Sequence, residues 1–278
     1  MLTPNAMSRP RSPDELELVA RPLPPPLQQP LPAPTEQVLG MHVAAACALL
    51  SFAGGFVEAA LFVHLSGLFT GSVTGNLISI VSESSPQRLS RSAVTFAFFL
   101  SAALGAAFAS CVRRQGRKAG ALGIAAAELL LLVALALLGP RYGPQVGADE
   151  ERRTILLGST AAAAMGAQNA LTRLAFPPAS PQTTIMTGTI VSLAFAFVDA
   201  LAASPGRLAA QELAAATVPL ATFLGGAALA SLTIKSGGLV VLLIPSVAVA
   251  LVALDIATVA AHEWRERREW ARLSRLPR

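Results

Sequence analysis

Between residues 41 and 261 the chain is a succession of apolar segments, about 41–63, 69–82, 92–112, 119–139, 154–176, 184–203, 216–234 and 239–261. A helix needs ~20 apolar residues to cross the hydrocarbon core of a bilayer. Inside lipid every backbone polar group must be paired within the protein, which leaves helices and closed barrels as the spanning forms. The length and continuity of these segments select helices. Six are long enough for a full span. The segment at 69–82 is short and ends at Glu83-Ser84-Ser85-Pro86; the one at 184–203 is long enough but carries Asp199. Charged residues make up only 13% of the chain and hydrophobic ones 53%, against roughly 25% charged in a soluble domain. The expected fold is an all-α polytopic membrane protein.

Two segments break the apolar pattern. Phe69-Thr70-Gly71-Ser72-Val73-Thr74-Gly75-Asn76 is built of glycines, hydroxyls and an amide. Thr183-Thr184-Ile185-Met186-Thr187-Gly188-Thr189 is a weaker copy. Each follows an apolar helix carrying a polar residue, Glu58 in the first case and Asn169 in the second. Glycine lets the backbone leave helical geometry, and Thr or Asn caps the helix that restarts. A helix N-terminus at membrane depth offers unpaired N–H groups and a positive dipole end. The residues expected to contact a ligand or ion are therefore Glu58, Thr70, Thr74, Gly75, Asn76, Asn169, Thr184, Thr187 and Gly188. The competing reading is that these turns only let helices cross tightly.

The chain also repeats itself. Gly105-Ala106-Ala107-Phe108-Ala109-Ser110 matches Gly226-Ala227-Ala228-Leu229-Ala230-Ser231, and Lys118-Ala119-Gly120-Ala121-Leu122 matches Lys235-Ser236-Gly237-Gly238-Leu239. Gly55 to Glu58 parallels Gly166 to Asn169, and the Thr-Gly segments match in the same order. This predicts two homologous helical repeats with six full spans plus two Thr-Gly-broken segments, six to eight transmembrane helices in all. The expected divisions are a disordered Pro-rich tail (1–39), repeat one (40–140), a connecting loop (141–153), repeat two (154–261) and a basic tail (262–278). Half of the 20 prolines lie in the first tail, which suits extended polyproline and cannot form a core. No apolar h-region follows the start, so this tail does not read as a signal peptide. If both Thr-Gly segments span, the repeats are parallel; if both re-enter, they are inverted. Either way the cluster Arg265, Arg267, Arg268, Arg272, Arg275 and Arg278 places both termini in the cytoplasm, and the plasma membrane is the expected location. Arg113, Arg114, Arg117 and Lys118 join the cytoplasmic side only in the re-entrant arrangement.

Ionisable residues at membrane depth are functional candidates by default: Glu58, His64, Glu128, Asp199 and Asp255. Glu58 leads, because Gly54 one turn earlier clears the face on which it projects. His64 does not share that face. Glu128 and Asp255 have no repeat partners, and interhelical hydrogen bonds are expected of them. Arg173 reads as an interfacial residue able to pair with Glu58. Pro219 and Pro245 suggest kinks. Cys47 and Cys111 read as small buried hydrophobes. No metal spacing, nucleophile elbow, P-loop or Cys-x-x-Cys occurs, so neither an enzyme nor a cofactor is expected. Basic residues flank apolar segments and are not interleaved with aromatics, so nucleic acid is not an expected partner.

At Gly55-Phe56-Val57-Glu58-Ala59, Phe69 to Asn76, Gly166-Ala167-Gln168-Asn169-Ala170 and Thr183 to Gly188 the chain resembles the YoaK-like family, multi-pass membrane proteins of unknown function. The resemblance covers roughly 41–261. Glu58 stands where that family usually has Asp, and Thr189 replaces the amide of a Thr-Gly-Asn, which makes the two turns unequal. The resemblance implies an integral membrane protein and no particular substrate. Duplication and matched polar breaks together lead to the expectation of a small-solute transporter, its central site at the repeat interface and Glu58 coupling to a proton or cation. The alternative is a non-transporting membrane scaffold or assembly factor.

Overall fold

A computed structural model describes residues 39, 41, 43–82, 87–112, 116–141, 148–176, 183, 186–202 and 207–273. Most of the expected disordered tail, much of the connecting loop, and Thr184 lie outside these residues. The elements are α1 (Val43–His64), α2 (Val73–Ser82), α3 (Arg88–Cys111), α4 (Arg117–Leu138), α5 (Ala148–Ala175), α6 (Met186–Ala202), α7 (Arg207–Gly237) and α8 (Leu243–Leu273). Short 3-10 turns, Gly139–Arg141 and Gly238–Leu242, follow α4 and α7. No strand occurs among the described residues.

Among the described residues, four helical stretches are long and apolar enough to cross a membrane: Val43–His64, Arg88–Cys111, Arg117–Arg141 and Leu213–Arg265, the last running through both α7 and α8. The span expected at 154–176 is a helix, α5, but is not among them. Gln168, Asn169, Thr172 and Arg173 dilute its hydropathy. Gln168 and Thr172 are nonetheless buried in protein, whereas Asn169 is half-buried and Arg173 exposed. The kink expected at Pro245 is absent from the helix interior, because this proline lies in the first turn of α8, where its missing N–H costs nothing. Pro219 does lie inside α7.

Contacts at the two ends of the bundle define the helix directions. At one end Arg153 Nη2 lies 2.7 Å from His64 Nε2, and Arg91 Nη1 donates to the Gly67 carbonyl (3.4 Å). At the other, the Met41 N–H donates to Asp255 Oδ1 (2.9 Å), Arg117 Nη2 donates to Leu174 O (2.6 Å), and Lys118 pairs with Glu263. Helices α1, α4 and α7 therefore run toward the His64 end; α3, α5 and α8 run toward the Glu263 end.

Glycine sets the two tightest crossings. Gly55 of α1 lies against the Phe223 carbonyl of α7, and Gly226 of α7 against the Phe52 carbonyl of α1; a Cβ at either site would overlap that backbone. Likewise Gly166 of α5 abuts the Phe98 carbonyl of α3, and a Cβ at Gly105 of α3 would lie 2.7 Å from the Ala170 Cβ. Small residues let helix backbones approach and gain dispersion contacts that lipid cannot supply. Helix α4 packs on α5 and α8, α2 on α3, and α6 on α7.

Candidate functional site

Helix α1 carries Glu58 six residues before its end at His64. The chain then turns at Ser66 and Gly67, both with positive φ, and folds back along its own helix. This return brings Thr70, Gly71 and Ser72 level with Glu58. Glu58 Oε2 accepts from the Thr70 N–H (3.0 Å), the Thr70 hydroxyl (2.8 Å) and the Gly71 N–H (2.6 Å); Oε1 accepts from the Ser72 N–H (3.0 Å). A carboxylate offers about four lone-pair sites, and one loop occupies that number. The donors expected to cradle a ligand at the start of α2 are thus met by the protein's own carboxylate. Hydrogen bonds to an ionised acceptor are roughly twice as strong as neutral ones.

Asn76 secures the same loop from the other side. Its Oδ1 accepts from the Phe69 N–H (3.3 Å) and its Nδ2 donates to the Phe69 carbonyl (2.7 Å). A buried amide here closes a two-point clasp across the turn. Gly75 lies under the Phe69 ring, where a Cβ would come within 2.9 Å. Thr70 is buried, whereas Thr74 is exposed. Helix α2 has 10 residues, about 15 Å at 1.5 Å per residue. It begins at the depth of Glu58 and leads back to the His64 end, where α3 starts.

The second break is held differently. Gln168 of α5, fully buried, donates through Nε2 to the Leu50 carbonyl of α1 (2.8 Å) and to the Thr183 hydroxyl (2.8 Å). Asn169 Nδ2 donates to the Met165 carbonyl (2.9 Å). Gln168, which was not among the expected site residues, thus joins the break to α1. Its signal was readable: Ala161, Ala164, Gln168 and Leu171 follow helical spacing along the buried stripe of α5. Gly188 is exposed and Thr189 buried; of Thr187, the structure describes only its place in α6. The Gln168 Oε1 and Thr189 hydroxyl have no hydrogen-bond partner.

The two breaks approach one another on α5. A Cβ at Gly71 would sit 3.8 Å from Met165 Cγ, and Gln168 lies three residues further on, about 4–5 Å along the helix axis. Beside Glu58 lies a small open pocket of about 180 Å³, lined chiefly by Gly55, Glu58, Phe62, Phe69, Phe223 and Ser231. A larger groove of about 490 Å³ runs between α3, α4 and α5, with apolar walls and none of the expected site residues. Its chemistry suits acyl chains better than a polar solute.

The other ionisable candidates resolve separately. His64 meets Arg153 and not Glu58. Asp255 accepts from Met41, at the start of α1. Arg173 is exposed near the Glu263 end, away from Glu58. Glu128 contradicts its expected interhelical hydrogen bond: it is 0% exposed, and neither oxygen has a partner. Cys47 is buried as expected, whereas Cys111 is exposed. No group of three or more metal-ligating side chains occurs among the described residues.

Residues 46–254, most of the chain, match the family described as "Protein of unknown function (DUF1275)". No curated protein and no solved structure matches the chain.

Proposed function

We propose that this chain, which belongs to the DUF1275 family of proteins of unknown function, is a small-solute permease with two inverted, related halves and a YoaK-like affiliation. The observation that carries the reading is convergence. Two polar backbone breaks, each tied to the helix before it, come from opposite ends of the bundle to within a turn of each other on α5. Irregular backbone at membrane depth is tolerated where it is buried in protein or lines a cavity. Inverted repeats with broken helices place transporter sites near the midplane.

The proposed halves are α1–α4 and α5–α8, with α2 and α6 as re-entrant helices and three spans in each half. Their relation is supported by which residues form the tight crossings. Gly55 and Gly166 correspond in sequence, as do Gly105 and Gly226. In each crossing the first helix of one half meets the third helix of the other. The Glu263 end gathers Arg117, Lys118 and the basic C-terminal stretch, so we place it in the cytoplasm by the positive-inside rule, at the plasma membrane.

In this reading Glu58 is a latch. Ionised, it holds the Thr70–Ser72 turn; a proton or a cationic solute arriving from the adjacent pocket competes with those donors and frees the turn to move. Thr74, Gly75 and Asn76 then shape one wall of the passage. Gly188 and Asn169 shape the other. No bond-making chemistry is assigned to the protein. The test is uptake of a solute panel into vesicles containing the purified protein. Solute accumulation that Glu58→Gln and Asn76→Ala each reduce at least tenfold supports the permease. Uptake indifferent to both variants, or no uptake of any solute, rejects it. The rival scaffold reading is favoured by one observation, that Glu58 is fully engaged by its own loop; it predicts that both variants lose stability and no flux exists to lose.

A further inference from the structure

Glu58, His64, Lys118 and Asp255 each have a polar partner. Glu128 does not. It lies mid-helix in α4, 0% exposed, with Oε1 and Oε2 both without a hydrogen bond. An ionised carboxylate in such a place carries a large desolvation penalty with nothing to offset it. Apolar residues of the same volume would pack there at no such cost.

Among the described residues, the surroundings bring no cation. The Lys118–Glu263 pair and the Gly139–Leu239 contact fix the antiparallel register of α4 on α8, placing Glu128 about level with Val252. The nearest ionisable residue of α8 at that level is Asp255, whose Oδ1 accepts from Met41. On α5, the contact of Gly120 with Leu174 puts Glu128 level with Met165 and Gly166; the charges of that helix lie toward its ends, at Asp149–Arg153 and Arg173. On α3 the level is that of Ser101, whose hydroxyl donates to the Ala163 carbonyl; Arg88 and Arg91 lie toward one end of that helix and Cys111 at the other. The 3-10 turns add only Arg141, beyond the end of α4.

We propose that Glu128 is a proton-binding site, neutral in this conformation, which releases its proton to water when the packing of α4 against α5 and α8 opens. The step is a simple dissociation of the carboxyl O–H, with the proton passing to water. A carboxyl sealed in this way exchanges its proton only when helices part, so its protonation reports and biases a conformational change. Intramembrane acids of pumps and transporters act in that manner. The proposal does not depend on the permease reading, since it concerns a different residue and needs no solute.

Infrared difference spectroscopy of the whole protein in lipid, across a pH series, tests it. The expected result is a protonated-acid C=O band that Glu128→Gln removes, that fades as pH rises and that returns on re-acidification. Glu128→Met, apolar and of similar volume, serves as the second variant if the amide does not fold. A band absent from the wild type at every pH, a band that both variants leave in place, or a Glu128 band unchanged until the protein unfolds would overturn the proposal. The last outcome identifies a static structural acid.

Discussion

At Glu58, the four donors of the Thr70–Ser72 turn would be stranded by truncation. Hydrogen bonds to a charged group contribute about 1.5–3 kcal/mol each, and their losses are not additive. Glu58→Ala should therefore lower unfolding stability by about 2–4 kcal/mol, read as a fall in the thermal midpoint in detergent. Glu58→Gln, which keeps one acceptor oxygen, should fall between. Asn76→Ala removes the clasp on Phe69 and should cost about 1–3 kcal/mol, whereas Thr74→Ala, at an exposed position, should leave the midpoint unchanged. The sequence pointed to Glu58 and the Thr-Gly turn as residues of one expected site, each contacting a ligand or ion and not each other, because both interrupt apolar sequence at membrane depth. What it could not convey was that the carboxylate fills the helix start itself. That depends on the reversal at Ser66 and Gly67, which brings residues 12 to 14 apart together, beyond any local spacing rule. Asn169 is the residue that aligns with Glu58 in the repeat, but burial along α5 gives the bridging role to its neighbour Gln168.

Helix α7 offers a test within two adjacent residues. A Cβ at Gly226 would overlap the Phe52 carbonyl, while at Gly225 it meets nothing within 4 Å. Overpacking a tight contact costs typically 1–3 kcal/mol. Removing a helical glycine gains roughly 0.8–1.0 kcal/mol. Gly226→Ala should thus destabilise the protein by about 1–3 kcal/mol, and Gly225→Ala should leave it unchanged or raise its midpoint slightly. The repeated Gly-Ala-Ala motif was legible as a motif, and its glycines turn out to mark the helix crossings. The status of α5 was less legible. Its length and alanine content read as a span, but hydropathy treats every face alike, and α5 keeps Gln168 inside the bundle, where lipid does not price it.

Among the described residues the bundle has three long helices running each way, with α1 finishing at the His64 end and α5 at the other. Helical character, a membrane-embedded build and the two breaks could be read from apolar lengths and glycine placement. Helix direction could not, because the Lys and Arg residues place the termini together under both arrangements and distinguish them only through Arg113–Lys118. In the structure Arg117 and Lys118 sit beside Leu174 and Glu263, at the end where α5 finishes. If the halves are inverted, single cysteines introduced in a Cys47→Ala, Cys111→Ala background should separate by face in intact cells. A membrane-impermeant maleimide should label Ser66→Cys and Arg141→Cys from outside, and Arg173→Cys and His262→Cys only after the membrane is opened. Labelling of Ser66→Cys and Arg173→Cys from the same face would contradict the inverted arrangement and the central site built on it.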